Sequence, residues 1–88
     1  MYDKDFYLNY FNSYREHIKE IDFNKLQEIE KLILNTSAKR KKVIVCGNGG
    51  SAATSSHVSV DLTKNAKIKS INFNEPDLIT CFANDYGY

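Results

Sequence analysis

The sequence is poor in the residues that mark secreted or disordered proteins. It holds two cysteines, one proline and no tryptophan among 88 residues. A single proline is atypical of disordered chains, and the apolar content of 42% is ordinary for a globular domain. The cysteines, Cys46 and Cys81, form no CxxC pair and no zinc-knuckle spacing. We therefore expect two reduced thiols in an apolar core rather than a disulfide framework.

Long apolar runs and an excess of one charge are also missing. No apolar stretch approaches the roughly 20 residues of a membrane span. The opening residues, MYDKDFYLNYF, are acidic and polar between their aromatics, unlike a secretory signal. The formal net charge is +1, and the basic run Lys39–Lys42 is most simply a solvated helix end. These features predict one small cytoplasmic domain that binds neither nucleic acid nor membrane.

Residues 1–41 predict a helical region. One helix should run from Asp3 to about Ile21 and a second from Asn24 to Ala38, with Asn24 as its cap. Aromatic and aliphatic side chains recur along the first helix at steps of three and four: Phe6, Tyr7, Tyr10, Phe11, Tyr14, Ile18 and Ile21. A stripe this wide needs a cover, and a partner subunit is a fair candidate.

Residues 42–88 predict an α/β unit. The apolar run Val43–Cys46 is typical of a strand that is buried on both faces. A helix should follow over 51–64, a second strand over 68–73 and a short helix over 77–84. The strand–helix–strand order predicts a parallel sheet with a right-handed crossover.

The loop between the first strand and the next helix favours anion binding. Gly47, Gly49 and Gly50 let the backbone approach a ligand closely, and the helix N-terminus offers free N–H groups. The first turns of the helix add four hydroxyls, those of Ser51, Thr54, Ser55 and Ser56. A plain tight turn with a capped helix would need only two glycines, so the pattern favours a phosphate or a phosphosugar.

Other interpretations of this segment stay open. The P-loop pattern fails because no Gly-Lys-Ser/Thr follows. The dinucleotide pattern G-x-G-x-x-G/A is formally met, although its confirming acid, Glu75, lies slightly late. His57 and Asp61 are four residues apart and share a helix face, which suits two metal ligands, a base with its partner, or a plain surface pair. Two ligands are too few for a zinc site.

Two segments of the chain stand out together: CGNGGSAATSSHVSVDL, residues 46–62, and CFANDYGY, residues 81–88. Both resemble the sugar isomerase (SIS) domain, and above all its sedoheptulose 7-phosphate (phosphoheptose) isomerases. The resemblance implies an α/β fold: a three-layer, Rossmann-like parallel-sheet domain preceded by N-terminal helices. Residues 42–88 would be the N-terminal part of that domain, which ends here after the second strand and a short helix. Because the family is about twice as long, we expect an incomplete domain.

The resemblance also assigns roles to residues. Substrate-binding positions are implied at Asn48, Gly49, Gly50, Ser51, Asn84 and Asp85, with Ser51 at the phosphate. His57 would be a zinc ligand. Asp61 would be both a zinc ligand and the catalytic base, although the family usually carries Glu there. The implied partner is a further copy of the chain, in a homotetramer packed through the N-terminal helices.

The expected function is therefore aldose–ketose isomerisation of sedoheptulose 7-phosphate to a heptose 7-phosphate. We expect the 88 residues alone to be inactive, because the other acid/base and metal-binding residues of the family lie beyond them. Three alternatives remain: a non-catalytic SIS protein of the kind that partners the replication initiator, a dinucleotide-binding domain, and a helical oligomerisation segment.

Overall fold

The computed structural model describes all residues from Met1 to Tyr88. Its elements are α1 (Lys4–Lys19), α2 (Phe23–Ala38), β1 (Val43–Ile44), α3 (Gly50–Lys64), β2 (Ser70–Ile71) and α4 (Pro76–Tyr86). None of the helices is both long enough and apolar enough to cross a lipid bilayer. The chain divides into two compact units, Met1–Glu30 and Lys31–Tyr88.

Helix α1 begins at a side-chain cap and leaves its aromatic stripe exposed. Asp3 Oδ1 accepts a hydrogen bond from the Phe6 amide at 2.9 Å, which satisfies one of the free N–H groups of the first turn. No residue of the helix is buried, and Phe11 and Tyr14 are 65% and 61% exposed. The predicted helix is confirmed, and its apolar stripe has no cover within the chain.

Helix α2 begins at Phe23 because Asp22 caps it. Asp22 Oδ1 accepts from the backbone amides of Asn24 at 2.9 Å and Lys25 at 3.3 Å. The prediction that Asn24 is the cap was wrong, since Asn24 already lies inside the first turn. Asp22 precedes the first turn, so its carboxylate can accept hydrogen bonds from the free amides of that turn. Asn24 is itself a residue of that turn.

Helix α2 ends in a Schellman turn that places an arginine in the left-handed region. The Arg40 amide donates to the Ser37 carbonyl at 2.8 Å, and the Lys41 amide donates to the Thr36 carbonyl at 3.0 Å. Arg40 has φ +56°, a conformation that glycine adopts without the steric cost of a Cβ. The bonds satisfy carbonyls that the helix end would leave free.

The two strands pair in parallel, as predicted. Val43 lies opposite Ser70 and Ile44 opposite Ile71. Helix α3 packs against β2 on one face of this sheet. Ile44, on the strand predicted to be buried on both faces, is 54% exposed, so that prediction was wrong: only one face has a covering helix.

The contact between α3 and the sheet is made largely by small polar side chains. Ser55 and Ser59 are 4% and 7% exposed, and the Ser59 hydroxyl lies 3.0 Å from the Ser70 hydroxyl. Ile68 is the one buried apolar residue. Both cysteines, Cys46 and Cys81, are exposed, which contradicts the expectation that they are core thiols.

Candidate functional site

The glycine loop connects β1 to the N-terminus of α3 in a conformation that needs two of its glycines. A Cβ on Gly47 would meet the Ser51 carbonyl oxygen at 2.3 Å, so only glycine fits there without movement. Gly49 has φ +57°, in the region that side chains rarely adopt. Gly50, by contrast, is the first residue of α3 and has open space around its Cα.

The hydroxyl of Ser51 fixes the loop from inside. Its Oγ donates to the Asn48 carbonyl at 2.7 Å and accepts from the Asn48 amide at 2.8 Å. The amides of Gly49 and Gly50 form no hydrogen bond within the chain, as expected at a helix N-terminus. Two free N–H groups at the positive end of a helix dipole suit an anion such as phosphate.

An open cavity of about 620 Å³ lies beside the loop. Its wall combines the loop, the end of β2 and one side of α4. The lining residues are Cys46, Gly47, Asn48, Gly49, Ala52, Phe73, Asn74, Ile79, Phe82, Ala83, Tyr86, Gly87 and Tyr88. None of them is a carboxylic acid, a histidine or a lysine. The cavity therefore has a glycine loop with free amides on one side and an aromatic wall on another, but its lining side chains include no carboxylate or imidazole for proton transfer.

Helix α4 is held in place by a cap at its first turn. Glu75 Oε2 accepts a hydrogen bond from the Leu78 amide at 2.6 Å, and Pro76 occupies the first helical position. The helix runs two residues further than predicted, to Tyr86. This extension brings Tyr86 into the cavity wall beside Phe82, and the centroids of the two rings lie 5.7 Å apart.

The hydroxyls of the first α3 turns are directed into the helix rather than toward a ligand. Thr54 donates to the Gly50 carbonyl at 3.3 Å, and Ser55 and Ser56 both donate to the Ala52 carbonyl. Ser55 is also buried. The expectation that all four hydroxyls serve as ligand donors was therefore wrong for Ser55.

His57 and Asp61 form an exposed pair on α3. His57 Nε2 lies 3.8 Å from Asp61 Oδ1, and the two side chains are 77% and 53% exposed. Asn65 Nδ2 also donates to Asp61 Oδ1, at 3.1 Å. Neither His57 nor Asp61 lines the cavity, and no group of three His, Cys, Asp or Glu side chains lies close enough together to hold a metal ion. A protein zinc site needs at least three such ligands, so these 88 residues by themselves do not fit the ion.

Asn84 and Asp85 lie in the last turns of α4. Asn84 Nδ2 donates to Asp85 Oδ1 at 3.1 Å, and the Cys81 thiol lies 3.7 Å from Asp85 Oδ2. Their neighbours Ala83 and Tyr86 line the cavity, whereas these two residues do not. Of the substrate-binding residues implied by the resemblance, the structure thus brings Asn48 and Gly49 to the cavity wall, with Gly50 and Ser51 directly behind them.

Sequence reasoning assigned Asn84 and Asp85 to the site, and it missed the residues after β2 and the aromatic residues of α4 that line the cavity. Asn74 and Phe73 follow β2 and face the glycine loop. A signal was present, because the carboxyl ends of parallel strands meet at one edge of the sheet and line its ligand crevice. The aromatic residues of α4 carried no such signal, since an apolar helix face also fits an ordinary core.

Comparison with known proteins places the chain in a family. The family model described as SIS domain matches residues 6–80. The phosphoheptose isomerase of Fusobacterium nucleatum is 33% identical in an alignment that covers 93% of this chain and 45% of the relative. That of Helicobacter pylori strain P12 is 33% identical, over 89% of the chain and 45% of the relative. That of Buchnera aphidicola is 34% identical, over 89% and 46%.

The chain spans a little under half the length of these relatives. No solved structure matches it significantly. The family model covers both predicted regions, from within α1 to the middle of α4. With the strand, glycine loop and helix arranged as described, the chain belongs to the SIS domain family.

Proposed function

We propose that the protein is a phosphosugar isomerase of the cytoplasm that converts sedoheptulose 7-phosphate to a heptose 7-phosphate. These 88 residues supply the loop that binds the phosphate, within a three-layer domain whose N-terminal helices are residues 1–41. The observation that carries the proposal is the pair of free amides on Gly49 and Gly50, which lie at the N-terminus of α3 beside an open cavity. The name shared by the relatives, phosphoheptose isomerase, supports an isomerisation of a phosphoheptose, and the specific sugar follows from the family resemblance.

The proposed reaction moves a proton between neighbouring carbons. A base removes the proton from the carbon beside the carbonyl, an enediol forms, and an acid returns the proton to the adjacent carbon. The loop amides anchor the phosphate, and Asn48, Asn84 and Asp85 contact the sugar hydroxyls. Asp61 is the proposed base.

The 88 residues should bind the substrate without turning it over. Asp61 lies outside the cavity wall, and the wall holds no carboxylic acid or histidine. The enediol step needs two positioned proton-transfer groups, and this chain offers one candidate. Measurable isomerisation of sedoheptulose 7-phosphate by the chain alone would contradict this expectation.

A zinc ion at His57 and Asp61 belongs to the proposal only with further ligands from outside these residues. The pair supplies one imidazole nitrogen and one carboxylate, both exposed. Zinc dialysis followed by metal analysis provides the test. The chain alone should retain less than one equivalent of zinc, and His57→Ala should not change that content.

Self-association through the N-terminal helices is the remaining part of the proposal. The exposed stripe of α1 includes Tyr10 at 59%, Phe11 at 65% and Tyr14 at 61% exposure. Contiguous apolar surface of this kind is typical of protein interfaces. We expect a homo-oligomer, a tetramer as in the family, which light scattering would detect.

The decisive experiment compares ligands and then tests the base. Isothermal titration should show binding of sedoheptulose 7-phosphate and of inorganic phosphate, and weaker binding or none of NAD. For catalysis, residues 1–88 would replace the matching part of the Fusobacterium relative, with circular dichroism confirming that the chimera is folded. Asp61→Ala should then lower kcat by about 100-fold or more, as expected for loss of a general base. Asp77→Ala removes another exposed carboxylate and should leave kcat unchanged.

Two rival functions can be compared with the structure. One observation weighs against a dinucleotide site, and another is consistent with a non-catalytic SIS protein. A dinucleotide site needs a free acid after β2, yet the Glu75 carboxylate is bound to the Leu78 amide as the cap of α4. A non-catalytic SIS protein is consistent with the absence of acids from the cavity wall. A folded chimera without isomerase activity would favour that second candidate. An active chimera that does not respond to Asp61→Ala would instead refute Asp61 as the base.

A further inference from the structure

The hydrogen bond between the Asn74 side chain and the backbone carbonyl of Ala52 determines which end of the Asn74 amide faces α3. Its amide nitrogen lies 2.6 Å from the carbonyl oxygen of Ala52, and a carbonyl oxygen can only accept a hydrogen bond. The NH₂ group must therefore point toward α3. It also lies 2.9 Å from the Ser56 hydroxyl and 3.4 Å from the Ser55 hydroxyl.

The same bonds leave the Asn74 carbonyl oxygen free. Its Oδ1 accepts no hydrogen bond from the chain, and no fully buried polar side-chain atom of the structure lacks a partner, so this oxygen is at least partly accessible to solvent. Asn74 lines the cavity together with Asn48 and Gly49 of the loop. The cavity lining thus includes Gly49, whose backbone amide is a free donor, and Asn74, whose Oδ1 is a free acceptor. The hydrogen bonds from Asn74 Nδ2 to α3 fix the orientation of that side chain.

The neighbouring Asn72 has no such free group. Its Nδ2 donates to the Val45 carbonyl at 2.8 Å and to the Ser55 hydroxyl at 3.0 Å, while its Oδ1 accepts from the Asn74 amide at 2.7 Å. Asn72 therefore ties the end of β1 to α3 and orients the backbone of Asn74. It is absent from the wall of the loop cavity.

We propose that Asn74 is a specificity-determining residue whose Oδ1 accepts a hydrogen bond from a hydroxyl of the bound sugar phosphate. This inference rests on the proposed function and adds a sugar-recognition residue to it. A carbonyl oxygen repels a phosphate oxygen and attracts an O–H donor. Asn74 thus selects for the polyol part of the ligand, whereas the loop amides select for its phosphate.

The test separates the two parts of the ligand. Affinities for sedoheptulose 7-phosphate and for inorganic phosphate are measured by titration in the wild-type chain and in Asn74→Ala. A neutral hydrogen bond predicts a loss of about 3- to 10-fold for the sugar phosphate. The affinity for inorganic phosphate should change by less than about 2-fold. Asn35→Ala, an exposed asparagine on α2, is the matched control and should alter neither.

Asn72→Ala serves as the structural comparison. Because it disturbs the loop without removing a free acceptor, it should weaken both ligands to a similar degree. If Asn74→Ala behaves in the same way, or leaves the sugar phosphate unaffected, Asn74 is not a specificity residue and the inference is overturned. If the wild-type chain binds sedoheptulose 7-phosphate no more tightly than inorganic phosphate, the proposed substrate is refuted, and this inference with it.

A measurement on the unaltered chain covers the case in which Asn74→Ala does not fold. The side-chain ¹⁵NH₂ resonances of Asn74 are followed by NMR during both titrations. A hydrogen bond to Oδ1 should shift them with sedoheptulose 7-phosphate and not with inorganic phosphate. Equal shifts with both ligands would overturn the inference.

Discussion

Gly47→Ala is expected to destabilise the chain by displacing the start of α3. The added methyl would lie 2.3 Å from the carbonyl oxygen of Ser51, 2.5 Å from its carbonyl carbon and 2.8 Å from its Oγ. Two of these are helix backbone atoms, so no change of side-chain rotamer relieves the clash. Overpacking of this kind costs about 1–3 kcal/mol, and the lower entropy of alanine in the unfolded chain offsets about 0.4–1 kcal/mol.

The expected net loss is about 1–2 kcal/mol of unfolding free energy. For a chain of this size each kcal/mol corresponds to a fall in Tm of roughly 4–8 °C. Phosphate binding should weaken as well, because the shift moves Ser51, whose hydroxyl closes the loop through Asn48. Urea unfolding followed by far-UV circular dichroism measures the unfolding free energy, and titration with inorganic phosphate measures the phosphate affinity.

Gly50→Ala is the matched control. Gly50 begins α3 with a negative φ, and no atom lies within 4 Å of the point that an added Cβ would occupy, so alanine fits. Its amide is kept, so phosphate binding should be preserved, and stability should rise by about 0.4–1 kcal/mol. Gly47→Ala with the same stability and phosphate affinity as Gly50→Ala would refute the close approach of the loop to α3.

Three further predictions concern the rest of the chain. Asn72→Ala leaves the Val45 carbonyl, directly after β1, without its side-chain partner and should cost about 1–3 kcal/mol in urea unfolding, whereas Asn65→Ala at an exposed position should stay within about 0.5 kcal/mol. Arg40→Gly removes the steric cost of a Cβ in the left-handed region and should raise the free energy of unfolding by up to about 1 kcal/mol. Lys41 has an ordinary φ, so Lys41→Gly should not stabilise the chain. Phe11→Ser should shift the light-scattering mass toward the monomer without loss of helicity; an unchanged oligomer mass would contradict association through the α1 stripe.

Much of the local structure could be predicted from residue patterns. Apolar spacing located α1, and the glycines after Cys46 located the turn into α3, with errors of a few residues at the ends. The cap of α2 was missed, because Asp22 and Asn24 are both good capping residues and only backbone geometry selects between them. The boundaries of α4 were similarly short by two residues at its C-terminus.

The candidate site was predictable at the loop and less so around it. Free amides at a glycine-rich helix start follow from local geometry alone, so Gly47, Gly49, Gly50 and Ser51 could be singled out. Asn48 was implied only by the family resemblance. Whether Ser55 faces a ligand or the sheet depends on how α3 packs, and it is buried against the sheet. Roles for His57 and Asp61 came only from family resemblance, since the two side chains form an ordinary exposed pair 3.8 Å apart.

The sequence by itself determined the order of helices and strands, the parallel pairing, the position of the glycine loop and, through its motifs, the SIS family. These depend on contacts between residues near one another in the chain, or on motifs with fixed spacing. Only the tertiary structure decided which sheet face is covered, that both cysteines are exposed, and that Asn74 meets the glycine loop. Those outcomes depend on contacts between distant segments, and hydrophobic patterning does not specify which segments meet.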